Sequence, residues 1–279
     1  MLSRFSARLP RRLLYSRKAL AIPLTYLILL ASMVTVASIT YTFAMIKLGN
    51  HNSLLRVSVA EQNIEVLDEA VRSVLWGFSS SRTVHMSDCG SIFQTSPTAR
   101  NLRINLADED SFNKLVFNSS IGRVLYELEP SSISNDNHYL IGDTVAITNK
   151  SSSPMTQMYI VVGENSKELV LSYRPRAIAT VTDDSIGRPE NLIRVCIINL
   201  NSSLNLILRE AFYLKVTCLQ TRALVNQYEF NQSVLSLSLK ADLDGASHTV
   251  RLPLSSSEEG ATVYLEIVIC SIKIERVGG

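Results

Sequence analysis

The feature that most limits what this chain can become is an uncharged run from Ala19 to Ile46, ALAIPLTYLILLASMVTVASITYTFAMI, entered through Arg17-Lys18 and left through Lys47. A secretory signal has an apolar region of only about 7–15 residues, whereas about 20 cross a bilayer as a helix. The run therefore predicts a transmembrane helix over residues 19–46. Its hydroxyl residues Thr25, Ser32, Thr35, Ser38, Thr40 and Thr42 are tolerable there, because they can bond back to helix carbonyls. Pro23 is expected within the first turn or so, where a missing amide costs little.

Charge predicts the orientation. Arg4, Arg8, Arg11, Arg12, Arg17 and Lys18 precede the span, Lys47 and Arg56 follow it, and no acid occurs before Glu61. That asymmetry predicts a single-pass protein of the cell membrane, with residues 1–18 as a basic cytoplasmic leader and everything after Lys47 outside. The chain holds 27 basic and 25 acidic residues; without the six leading cations, 21 basic residues face 25 acidic ones. Such a mildly acidic body lacks the concentrated basic face of a nucleic-acid binder, so membrane lipid is the expected partner and nucleic acid is not.

Residues 47–78 predict an amphipathic helical stalk. Val57, Ala60, Ile64, Leu67, Val71 and Val74 recur at steps of three and four, the spacing of one apolar stripe, while Glu61, Glu65, Asp68, Glu69 and Arg72 fall largely away from it. Gly77 offers a stop and Gly49-Asn50 a break between the two helical halves. The stripe is expected to pack on its own domain; the same helix of a neighbouring subunit is the alternative.

From residue 85 to 279 the period becomes two. Leu102/Ile104/Leu106, Leu169/Leu171/Tyr173, Leu204/Leu206/Leu208, Phe212/Leu214/Val216, Leu235/Leu237/Leu239, Val250/Leu252/Leu254 and Val263/Leu265/Ile267/Ile269 alternate as strands do. The phase slips at Ile272 and Ile274, which predicts a bulge near Cys270-Ser271. Turn signals at 131–137, 149–154, 182–191, 242–245 and 255–260 separate the runs. The expected fold is mainly β with a long N-terminal α-helix: transmembrane helix, stalk, then an extracellular antiparallel β-sandwich, or two in tandem divided near 182–191.

Cys89, Cys196, Cys218 and Cys270 would stand in a compartment where disulfides persist, with three pairings open. Three lie in apolar strands, where a buried free thiol serves as a small hydrophobe, and that is the preferred expectation. His51, His85, His138 and His248 are scattered, and His85-Met-Ser-Asp-Cys89 has no spacing that makes a nucleophile and base. Asp242-Leu-Asp244-Gly245 reads as a hairpin turn rather than a calcium loop, which would need further ligands where Ala246 and Pro253 stand. No catalytic residue, metal site or cofactor is expected. Sequons at Asn118, Asn149, Asn201 and Asn231 are candidate glycosylation sites, with Asn149 and Asn201 in the more turn-like surroundings.

A basic leader ending in Arg17-Lys18-Ala19, a long apolar helix, an amphipathic continuation and an exterior β body together resemble archaeal type IV pilin-like and archaellin-like proteins. The resemblance covers about the first quarter of the chain. It implies cleavage between Lys18 and Ala19, and a mature helix that anchors first and can then form a filament core. Pro23 stands at the fifth mature position, where many of that family carry glutamate. Ala31/Thr35 and Ser38/Thr42 supply small residues of the kind that pack helices in lipid. The expected function is a non-enzymatic, pilin-like structural or accessory surface component, with like subunits or surface-layer and pilus components as partners. The alternative is a monomeric anchored module that binds a carbohydrate or protein.

Overall fold

A computed structural model describes residues 17–108, 112–128, 137–163, 166–183 and 187–278, with side chains from Ile22 onward. The leader up to Ser16, most of the 131–137 turn and part of the 182–191 turn lie outside the described residues. Two compact units emerge, one ending at Asn52 and the other running from Ser53 to Gly279.

Helix α1 is assigned from Arg17 to Val74, with Pro23 inside it. Gly49 and Asn50 are helical, so the expected break is absent. Pro23 also differs from expectation. The helix is already formed at Arg17, which places the proline beyond the first turn, where it forgoes the bond to the carbonyl four residues back. The hydroxyl residues do bond back: Ser32 Oγ donates to Leu29 O (2.8 Å), Thr35 Oγ1 to Ala31 O (2.8 Å), Thr40 Oγ1 to Val36 O (2.8 Å) and Thr42 Oγ1 to Ser38 O (2.9 Å).

The second unit is mainly β. In chain order its described strands are β1 (Ser81–Met86), β2 (Ile92–Ala107), β3 (Asn113–Leu128), β4 (His138–Ile141), β5 (Thr156–Val162), β6 (Lys167–Tyr173) and β7 (Arg176–Asp183). They continue as β8 (Glu190–Asn199), β9 (Ile207–Leu208), β10 (Phe212–Phe230), β11 (Ser236–Leu243), β12 (Ala246–Pro253) and β13 (Ala261–Arg276). One sheet has the order β1-β10-β13-β8-β7 and the other β12-β11-β2-β3-β6-β5-β4, with β9 beside β2. All pairs are antiparallel except β8 with β13, which departs from a purely antiparallel expectation.

Two apolar cores fill this unit. The first gathers the second half of α1 with β1, the starts of β2 and β10, and the ends of β3 and β13. The second gathers β11 and β12 with the opposite ends of several of those strands. β8 and β13 pair in unbroken register from Thr262–Glu190 to Ser271–Asn199. Even so, Ile193, Val195 and Ile197 enter the second core while Ile198 and Leu200 enter the first. On β13, Val263, Leu265 and Ile267 belong to the second core and Cys270, Ile272 and Ile274 to the first. Since successive side chains point to opposite sheet faces, these two strands give opposite faces to the two cores.

The phase slip at Cys270-Ser271 is thus a change of core within β13. The bulge sits on its partner β10, where Leu219 is left out between Cys218 and Gln220. Near the changeover, β3 carries Gly122. A Cβ there would lie 2.8 Å from the carbonyl oxygen of Leu200, so only glycine allows this approach.

Other expectations are corrected. Of Leu204/Leu206/Leu208 only the last lies in a strand, the two-residue β9, and Leu204 is exposed. Leu235 precedes β11 and is 73% exposed. Across 182–191, β7 and β8 pair as a hairpin. Both strands belong to one sheet and to one compact unit. Asp244 (φ 51°) and Gly245 (φ 87°) form the two-residue turn between β11 and β12.

Candidate functional site

Two stretches of α1 meet opposite demands. Between Ile22 and Leu48 the helix offers Ile, Leu, Val, Met, Phe and Tyr side chains that are 53–72% exposed, and no part of its most apolar stretch is buried. It is the one described helix long and apolar enough to cross a membrane. An unbroken apolar surface around a whole helix is stable only against lipid or other apolar helices.

From Ser53 onward the same helix is one-sided. Val57, Ala60, Ile64, Leu67, Val71 and Val74, with Ala70, are buried in the first core. Each fully buried Ile or Leu contributes about 1.5–3 kcal/mol. The stripe therefore packs on its own domain.

Two polar residues share that buried face. Asp68 is wholly buried, contrary to its expected place away from the stripe. Its Oδ1 accepts from Thr156 Oγ1 of β5 and Tyr173 OH of β6, each at 2.9 Å, and its Oδ2 accepts from Arg72 Nη2 at 2.5 Å. Three donors compensate a carboxylate withdrawn from water. Tyr173 is pushed well above its ordinary value, first by burial and then by the Asp68 charge. One turn earlier, Asn63 Nδ2 donates to Ser87 O (2.8 Å) and Tyr126 OH (3.2 Å), while Ser87 N donates to Asn63 Oδ1 (3.0 Å). The amide thereby engages the backbone after β1 at both its ends. Neither residue was singled out from the sequence, although a signal existed. Asp68 lies four residues after Ile64 and three before Val71, inside the stripe.

The helix ends in a tight turn. Trp76, not Gly77, adopts the left-handed conformation (φ 66°), Leu75 N donates to Val71 O, and Ser80 Oγ donates to Val74 O at 2.9 Å. Gly77 serves by smallness, since a Cβ there would stand 2.8 Å from Ser80 Oγ. Ser79 and Ser80 then stitch the chain to Cys218 through paired backbone bonds of 2.9 Å.

The remaining candidate residues fall apart in space. Cys89 is buried in the first core, with its thiol raised by burial, while His85 faces outward and lies 4.9 Å from the Tyr213 ring. His248 Nδ1 accepts from Ala146 N at 3.2 Å. Among the described residues no group of three or more His, Cys, Asp or Glu is placed to hold a metal ion. Cys196 is half-buried on β8, whereas Cys218 and Cys270 are buried with their sulfurs 3.4 Å apart. Asn118, Asn149 and Asn231 are exposed and Asn201 half-buried. Asn149 Nδ2 donates to Arg251 O, and Asn231 Oδ1 accepts from Arg188 Nη2.

At the end of the second core an open cavity of about 360 Å³ is lined by Phe112, Tyr228, Phe230, Asn231 and Gln232, among others. Phe112 meets both other rings edge-on, at 5.2 and 5.4 Å.

No known protein family, curated protein or solved structure matches this chain. What can be said of its role rests on its own chemistry.

Proposed function

We propose that this chain is a single-pass, membrane-anchored surface protein, a pilin-like structural or accessory component whose β body is displayed outside the cell. The observation that carries the proposal is the contrast along α1. Ile22–Leu48 leaves all its large apolar side chains open, whereas Val57–Val74 buries its stripe against the chain's own sheets. Lipid, or the equivalent helices of like subunits, would cover the first stretch. The basic residues before the span favour an interior N-terminus, and they favour cleavage between Lys18 and Ala19 in the manner of the proteins it resembles. N-terminal sequencing of the protein purified from membranes tests this. A chain starting at Ala19 supports pilin-like processing, and an intact leader supports a plain anchor.

The cavity beside Phe112, Tyr228 and Phe230 favours a second reading, an anchored module that binds a carbohydrate. Aromatic faces and amide side chains are the groups on which sugars stack and hydrogen-bond. Screening the full chain against a glycan panel, with Tyr228→Ala as comparison, decides it. Binding lost in the variant supports the module, and no binding by the wild type removes it.

A further inference from the structure

We propose that Cys218 and Cys270 form an intramolecular disulfide that clasps β10 to β13 beside the C-terminal end of α1. In an antiparallel pair, residues on the diagonal are ordinarily about 7–8 Å apart, too far for a bond between their sulfurs. Cys218 pairs with Ile272, and Cys270 with Thr221, so the two cysteines are such a diagonal pair. The omission of Leu219 from the ladder changes the local geometry, because a bulge bends and over-twists its strand. Both sulfurs face the first core, both residues are 0% exposed, and the gap between sulfurs is 3.4 Å. Small side-chain rotations close that gap to the ~2.0 Å of a disulfide. Cys89, in the connection between β1 and β2, and Cys196, on β8, stand as free thiols, so the proposal is one bond and two unbonded cysteines.

The position gives the bond a purpose. The backbone of Cys218 exchanges hydrogen bonds with Ser79 and Ser80, and the Trp76 backbone lies within hydrogen-bonding reach of the Cys270 sulfur. A covalent link there holds the strand pair to which the C-terminal end of α1 is stitched.

Formation is an ordinary exchange with an oxidised small-molecule disulfide. One cysteine thiolate attacks a sulfur of oxidised glutathione and expels the first glutathione thiolate. The second cysteine thiolate then attacks the mixed disulfide and expels the second. The protein loses two hydrogens, and both appear on reduced glutathione. Burial, first among the causes, raises the Cys270 thiol to about 11, so exchange in the native state is slow and closure belongs to folding.

The oxidised state in the cell rests on the exterior placement proposed above; the pairing itself does not. The test therefore has two arms. Purified full-length protein in detergent is reduced in denaturant, returned to native conditions in a mixed glutathione buffer, alkylated and digested. The expected result is the loss of two of four thiols, a linked peptide pair containing Cys218 and Cys270, and a higher melting temperature than the reduced protein. Retention of all four thiols, or a bond through Cys89 or Cys196, overturns the pairing. In the second arm thiols are trapped by acid in intact cells. A bond that forms in the glutathione buffer but is absent from cells contradicts exterior placement and leaves the pairing intact.

Discussion

The hydroxyl of Tyr173 donates a 2.9 Å hydrogen bond to Oδ1 of Asp68, joining β6 to a carboxylate that α1 carries wholly out of water. A buried charge is costly unless it is well bonded, and here Thr156 and Arg72 complete the set. The contact fixes both the rotation and the height of the helix on the sheet, which greasy contacts alone leave freer.

Removing the carboxylate strands the buried hydroxyls of Thr156 and Tyr173, while the half-exposed Arg72 turns to water. Asp68→Ala should destabilise the protein by about 2–4 kcal/mol, and Tyr173→Phe by about 1.5–3 kcal/mol. Thermal unfolding of the full chain in detergent measures both. A loss below about 0.5 kcal/mol for Asp68→Ala would show that the network contributes nothing.

Alkaline pH should unfold the protein through the same tyrosine. Its folded-state value is raised above the ordinary 10.0, so the unfolded chain gives up this proton more readily. The contribution is intact below about pH 10 and shrinks as pH rises through the folded-state value. Melting temperatures should therefore begin to fall once the pH passes about 10, the ordinary tyrosine value. The fall should be shallower in Tyr173→Phe, and equal slopes would show that another group is responsible.

The stripe separates buried from exposed positions on one helix. Ile64→Asp and Leu67→Asp bury an unpaired carboxylate and should cost more than the roughly 2–5 kcal/mol of simple truncation to Ala. Glu65→Ala, on an exposed position, should change stability by no more than about 0.5 kcal/mol. Proteolysis rates of the three variants rank them, and similar rates for all three would contradict the docking.

Much of this was legible where one face of an element meets one core. Leu102, Ile104 and Leu106 alternate because β2 buries a single face there, and Val57 to Val74 repeat because α1 buries a single stripe. Legibility fails where that condition fails. β8 shows no alternation across Ile197-Ile198 because it changes cores between them, and β13 changes cores beside the bulge that Leu219 makes opposite it on β10. Asp68 has the residue type of an exposed position and stands at a buried one, because what compensates it is distant in sequence. Its partners Thr156 and Tyr173 lie 88 and 105 residues away. The approach of Cys218 to Cys270 depends on strand pairing and one skipped residue, both non-local.

Within the apolar half of α1 a single charge should be decisive. Leu29→Arg or Leu30→Arg places an arginine near the middle of the run, at about 2.5–3.5 kcal/mol on the insertion scale. Either variant should shift protein from the membrane fraction to the soluble or degraded fraction. Unchanged fractionation of both would count against the span.

Protease treatment of intact cells tests the account most directly, with the protein followed through a C-terminal tag and lysed cells as control. If the uncharged helix lies in lipid with its cationic end inside, the tag and the β body are digested in intact cells while a small N-terminal fragment survives. Protection of the β body in intact cells, with digestion only after lysis, would contradict it.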